Sequence, residues 1–307
     1  MNNSDCICSF SALNGHPIKI DIQVIEEFFT RIRLIFHSSG LYIIPVDCSD
    51  NTSGIEELAF HIFIPANAFL KYKVDKNITR VINFQTSIFN KSISTVKKKE
   101  SMEISISEKD GTISEMYCYI FSMAKQSLIA GKEIHVIQIQ EEIFDENMIC
   151  TLDPSKYELP VKFESCRFQS FKKSLKVNKN NIRISIQSNN FLQISSDVTN
   201  TSINSPIAIY TIGDLIIPPQ YITTEVKMGV FDNVLKKCKD VFSEEFQNSL
   251  IFKLNKISAL GKMISFYKPI DDDGVLKISI QNGDLGELQV YIKHNKQLQA
   301  EHDATED

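Results

Sequence analysis

The residues able to carry out chemistry are scattered along this chain. Its six histidines stand apart, and none lies at ligand spacing from a cysteine or carboxylate. Cys6 and Cys8 share the strand-like run Cys6-Ile-Cys-Ser-Phe-Ser-Ala12, and two thiols alone are too few for a metal centre. Asp271-Asp-Asp273 offers oxygen ligands for a hard cation, but it precedes Gly274 and reads as an acidic hairpin loop. Gly283-Asp-Leu-Gly286 lacks the following helix that a phosphate cradle requires. No Walker or Gly-x-Ser-x-Gly pattern occurs. The sequence therefore predicts no catalytic residues, no metal, no cofactor and no enzymatic activity.

Lysine is what gathers. A helix predicted over residues 86–97 turns Phe89, Ile93 and Val96 to one side and Lys91 and Lys98 to the other, with Lys97 and Lys99 extending the basic end. A second, over 166–176, faces Phe168, Phe171 and Leu175 inward. Lys173 and Lys176 lie on its polar side, and Lys172 on the flank. A third, over 230–242, carries the stripe Phe231, Val234, Leu235, Cys238 and Phe242, with Lys236 and Lys237 opposite. Lysines populate the wet face of any helix. Three helices sharing the bias, in a chain of net charge −5, point instead to a polyanionic partner met through local positive charge. A helix predicted over 17–30 departs from the pattern. Its apolar stripe is Ile18, Ile22, Ile25 and Phe29, and its polar side holds Lys19, Gln23, Glu26, Glu27 and Thr30.

Each of these helices sits in the same setting: strand, amphipathic helix, strand, turn, strand. The first copy runs from Cys6 through the helix to a hairpin about Ser39-Gly40. The second starts at Thr79-Arg-Val-Ile-Asn-Phe84 and ends in an alternating pair of strands about Asp110-Gly111, a strong hairpin signal. The third starts at Leu159, with strands over 181–187 and 191–196. The fourth starts at Ile222, with strands over 249–255, 263–267, 275–280 and 287–292. A strand over 133–139 leads into a segment that mixes acids with Ile143, Phe144, Met148 and Ile149. Repeated units with helices on one face of antiparallel sheets give an α+β class. The domains are placed at 1–139 and 157–293, joined by a linker over 140–156, with a disordered acidic tail over 294–307.

Composition agrees with a globular chain. Hydrophobic residues make up 43% of 307 and charged residues 23%. No apolar run is long enough to span a membrane. Seven scattered cysteines fit reduced thiols. Asn, Lys and Ile are plentiful, as in AT-rich genomes such as those of protists and large DNA viruses.

Three stretches then carry a family resemblance. Arg33-Leu-Ile-Phe-His-Ser-Ser-Gly-Leu-Tyr-Ile-Ile-Pro-Val-Asp-Cys-Ser49, Val81-Ile-Asn-Phe-Gln-Thr-Ser-Ile-Phe-Asn-Lys-Ser-Ile93 and Thr224-Glu-Val-Lys-Met-Gly-Val-Phe-Asp-Asn-Val-Leu235 resemble the proliferating cell nuclear antigen family of DNA sliding clamps. The order of elements agrees over about residues 5–293. The resemblance implies a subunit of two similar domains, three of which close a ring around duplex DNA, with helices lining the hole and sheets outside. DNA contacts would fall on Lys91, Lys97, Lys98, Lys99, Lys172, Lys173, Lys176, Lys236 and Lys237. Partner proteins, a DNA polymerase among them, would dock at Val46, Ile143, Phe144, Tyr291 and Ile292. Ring closure would use edge strands over 113–121 and 191–197, exposing Ser114, Glu115, Gln193 and Ser195. A clamp loader, and a nuclear or viral replication site, are implied likewise. Two alternatives remain open: a clamp-fold subunit of a heteromeric, checkpoint-type ring, and a viral processivity or transcription factor that forms no homotrimer. Past its last strand the chain departs from the family, continuing into Lys293-His-Asn-Lys296 and an acidic tail.

Overall fold

The computed structural model describes residues 6–46, 58–74, 78–109, 112–122, 127–134, 140–145, 153–175, 181–187, 190–196, 208–213, 241–271 and 273–306. It is an α+β protein. The strand pairings whose register is resolved are all antiparallel. The chain forms two compact units. One gathers residues 1–50, 60–151 and 281–288, the other 51–59, 152–280 and 289–307.

In the first unit the order is β1 (Cys6–Ala12), α1 (His16–Glu26), β2 (Arg31–His37), β3 (Gly40–Val46), β4 (Leu58–Pro65), β5 (Lys71–Lys73), β6 (Arg80–Gln85), α2 (Thr86–Ile93), β7 (Glu100–Lys109), β8 (Thr112–Ser122), β9 (Ser127–Ile134) and β10 (Gln140–Glu142). One sheet runs β5-β1-β7-β8-β9, and β10-β6-β2-β3-β4 are neighbours in another. Helix α1 carries Pro17 in its first turn, which suits the fixed φ of proline. Ile18, Ile22 and Ile25 are fully buried beneath it. Phe89, Ile93 and Val96 are buried likewise, as their spacing predicts. Each such side chain contributes about 1.5–3 kcal/mol. Gly15 lets α1 start hard against β7: an added Cβ would lie 2.6 Å from Met102 Cβ.

The second unit contains β11 (Val161–Glu164), α3 (Ser165–Leu175), β12 (Ile182–Gln187), β13 (Phe191–Ser196), β14 (Ala208–Gly213), β15 (Val241–Phe246), α4 (Asn248–Leu254), β16 (Met263–Tyr267), β17 (Leu276–Gln281), β18 (Glu287–Ile292) and α5 (Asn295–Glu306). The sheet β14-β13-β12-β15 buries Ile182, Ile184, Ile186 and Ile194, and β11-β16-β17-β18 follow one another in a second sheet.

Several expectations are corrected here. The strand over 113–121 is no edge, because β8 pairs with β7 on one side and β9 on the other. β13 likewise lies between β12 and β14. Among the described residues, the edge strands beside them are β9 and β14. In β9, Ser127-Leu-Ile-Ala-Gly-Lys-Glu-Ile134 hides its strand character behind small residues and a glycine. Of the predicted helix over 230–242, residues 230–240 lie outside the described residues, while the predicted strand over 249–255 is corrected. Residues 241–246 form β15, paired along its length with β12, and 248–254 form helix α4. The short apolar run Leu250-Ile-Phe252 fits either period, and Leu250, Ile251 and Leu254 are the buried helical stripe. Finally, the tail expected to be disordered is helix α5. The expected linker over 140–156 begins in the short strand β10, paired with β6.

Candidate nucleic-acid interface

Two helix pairs carry the candidate surface. In the first unit α1 packs on α2. Asn90 Nδ2 donates to Glu26 Oε2 across the pair. Lys19 does not simply hang in solvent. Its Nζ donates to the carbonyls of Ser94 at 2.5 Å and Val96 at 2.9 Å, satisfying oxygens at the C-terminal end of α2. Past that end the chain turns through Lys97, Lys98 and Lys99, all exposed. The turn is held by Lys97 N–H donating to Glu100 Oε2 at 2.8 Å, and Lys99 takes φ of +68°, a left-handed conformation costly for a residue with a Cβ. His16 completes the group. Burial, then the charges of Lys19 and Lys98, hold its imidazole below the usual range, so all three act on one another. Lys91 lies exposed on α2.

The acids of α1 divide. Glu26 and Glu27 are exposed, whereas Asp21 is fully buried and contributes nothing to the helix surface.

In the second unit α3 packs on α4 and on the short 3₁₀ helix Asn255–Ala259. Asn255 Nδ2 donates to the Phe168 carbonyl, and Phe168 is wholly buried. Ser165 Oγ donates to Gly261 O at 2.5 Å and fixes the start of α3. The surface left over carries Arg167, Gln169, Ser170, Ser249, Lys253 and Lys256, all exposed. Lys172 and Lys173 belong to α3 by backbone, and their side chains lie outside what is described. Lys176, Lys236 and Lys237 fall outside the described residues altogether.

Arg167, Lys253, Lys256 and His16 were not singled out from the sequence. A signal for most of them exists in it. Residues 76–99, 165–196 and 247–270 contain no aspartate or glutamate at all, in a chain that has 38. They hold six, six and four of its 33 lysines and arginines. Nearly half of the basic charge and none of the acidic charge thus lies on about a quarter of the chain. Those three segments contain α2, α3 and α4. Lysine and arginine are the side chains that phosphate contacts use, and such contacts weaken as salt rises and read no base sequence.

The remaining candidates separate. Val46 is half-buried at the end of β3, opposite Arg31. Ile143 is 93% exposed, and Phe144 lays its ring 6.2 Å from that of His37 on the outer side of β2. Tyr291 and Ile292 are not surface groups as expected. They are 5% and 0% exposed, and Tyr291 packs on Tyr157 beside the Lys277 ammonium. Gln193 and Ser195, expected on an exposed edge, are buried within the sheet because β13 is an inner strand. Ser114 and Glu115 lie on β8 just before the stretch paired with β9, which starts at Met116, and their side chains are not described. Among the described residues no group of three His, Cys, Asp or Glu could hold a metal ion, and no helix is long and apolar enough to cross a membrane.

Comparison with protein-family models gives no match to this chain, and comparison with curated proteins gives no significant one.

Proposed function

We propose that this protein is a DNA sliding clamp: a ring subunit that encircles duplex DNA and tethers a DNA polymerase and other replication or repair proteins. The observation that carries the reading is the separation of charge. In an acid-rich chain, the segments bearing α2, α3 and α4 are free of acids and rich in lysine and arginine. A ring with an inward helix layer of this kind would hold DNA loosely by its phosphates, and its persistence would be topological.

The order of elements supports the same reading. Strand, helix and three strands recur from β1, from β6, from β11 and from β15. Among the described elements, that order is compatible with the proposed clamp subunit. Edges β9 and β14 are open among the described residues, so β9 of one copy can pair with β14 of the next, a heterologous contact that closes into a ring. The mechanism needs no catalytic group.

A second reading has its own support. Exposed Glu26 and Glu27 on α1, and the extra helix α5, fit a subunit of a heteromeric clamp or a processivity or transcription factor that forms no homotrimer. Light scattering over a range of concentrations separates the two. A homotrimeric clamp gives a mass near three times 34.9 kDa, whereas a mass near 34.9 kDa throughout removes the homotrimer.

A further inference from the structure

Helix α1 places a carboxyl group where its neighbours are hydrocarbon. Asp21 lies on the side of Ile18, Ile22 and Ile25 and is fully buried. Among the described residues its one hydrogen-bond partner is Asn282, in the turn between β17 and β18 and 261 positions along the chain. Asn282 is 1% exposed. The Asn282 Nδ2 donates to Asp21 Oδ2. Asp21 Oδ1 and Asn282 Oδ1 are each left buried without a partner.

That inventory does not suit a carboxylate. An ionised carboxyl only accepts, and burying it takes several donors or a cation. Here one amide N–H is on offer. Among the described residues no cation compensates: Lys19 is turned to the Ser94 and Val96 carbonyls. The other titratable groups on the two elements are His16, whose burial favours the neutral imidazole, and the exposed acids Glu26 on α1 and Asp284 in the turn. Two unpartnered oxygens and one missing donor are accounted for by a single proton. A neutral carboxyl and a primary amide are complementary, each giving one hydrogen bond and taking one.

We propose that Asp21 is protonated in the folded protein and donates from Oδ1 to Asn282 Oδ1, so that the two side chains form a neutral acid–amide clasp between helix α1 and the β17–β18 turn that opens when the proton is lost. The clasp ties the first helix of the chain to its last hairpin. Burial, opposed only by the Asn282 bond, also holds the Asp21 carboxyl well above the usual carboxylate range. The folded protein thus keeps a proton that the unfolded chain releases near pH 4. The stabilisation is complete in acid and declines as pH rises from there toward the folded-state value.

Carbon-13 NMR of aspartate carboxyls over about pH 5 to 9 tests this directly. The proposal expects the Asp21 carboxyl shift to be that of a protonated acid at pH 6. A shift already that of a carboxylate at pH 6 overturns it. The variant Asp21→Asn keeps both hydrogen bonds without a titrating proton. Its unfolding midpoint should lose a decline with rising pH that the native protein shows, a difference in linkage of up to one proton. Identical pH slopes for the two proteins would also overturn the proposal. The NMR result stands on the native protein alone, should the variant fail to fold.

Discussion

Neutralising the helix-borne cations should flatten the salt dependence of DNA binding. The structure supplies four exposed positions for this: Lys91 on α2, Arg167 on α3, Lys253 on α4 and Lys256 just beyond it. Each phosphate contact contributes about 0.9 to the slope of log affinity against log salt, so four lost contacts remove up to about 3.6. Between about 50 and 200 mM salt that slope difference amounts to roughly a hundredfold in affinity. The assay is fluorescence anisotropy of a labelled duplex across a salt series, using the fourfold glutamine variant. Exposed surface changes of this kind shift stability by about 0.5 kcal/mol or less each, so folding should survive. The control replaces Lys71 on β5 and Lys162 on β11, exposed lysines that sit on strands rather than helices. The reasoning is refuted if the fourfold variant keeps the native slope, or if the control pair lowers the slope as much per charge.

Two further outcomes follow from local geometry. Gly40 opens β3 at φ of +152°, and an added Cβ would stand 2.2 Å from the Ile64 carbonyl oxygen. Gly40→Ala should therefore cost more than about 2 kcal/mol by chemical denaturation, and a smaller loss would show that the hairpin can shift. His294 is buried between Phe242 and Phe246 with Glu244 3.9 Å away, and burial holds its imidazole below the usual range despite that carboxylate. The folded state favours the neutral ring, so stability is full above about pH 6.5 and is lost as pH falls through the lower folded value. Hydrogen exchange across α5 should speed up below about pH 6 in the native protein and stay flat in His294→Phe; parallel profiles would contradict this.

Periodicity made much of the fold legible, and its failures have physical causes. The stripes of α1 and α2 were readable because Ile18, Ile22, Ile25, Phe89 and Ile93 recur at helical spacing on residues that end fully buried. The hairpin β7–β8 was readable because its alternation is clean. β9 and β14 were not, because strands of mixed small, polar and apolar residues owe their existence to the neighbours they pair with, β8 and β13. Missing them misplaced both open edges. In the fourth copy of the repeat, Phe242 fitted the end of a helical stripe, yet it stands in β15. Pairing of β15 with β12 decided the matter, and that information is tertiary. The basic surface was partly visible: Lys91 and Lys97 to Lys99 were identified by type and spacing. Arg167, Lys253 and Lys256 needed a different question, namely where acids are missing rather than where lysines stand on a wheel. The Asp21–Asn282 pair spans 261 positions and leaves no mark in local sequence.

Encirclement is the central claim, and retention on topologically closed DNA tests it most directly. The protein would be bound to, or loaded onto, a nicked circular plasmid, passed over a sizing column in about 0.5 M salt where phosphate contacts are screened, and then compared before and after the circle is cut once. A ring stays with the circle and is lost from the linear form. Equal loss from both would contradict encirclement and leave a surface-binding factor in its place.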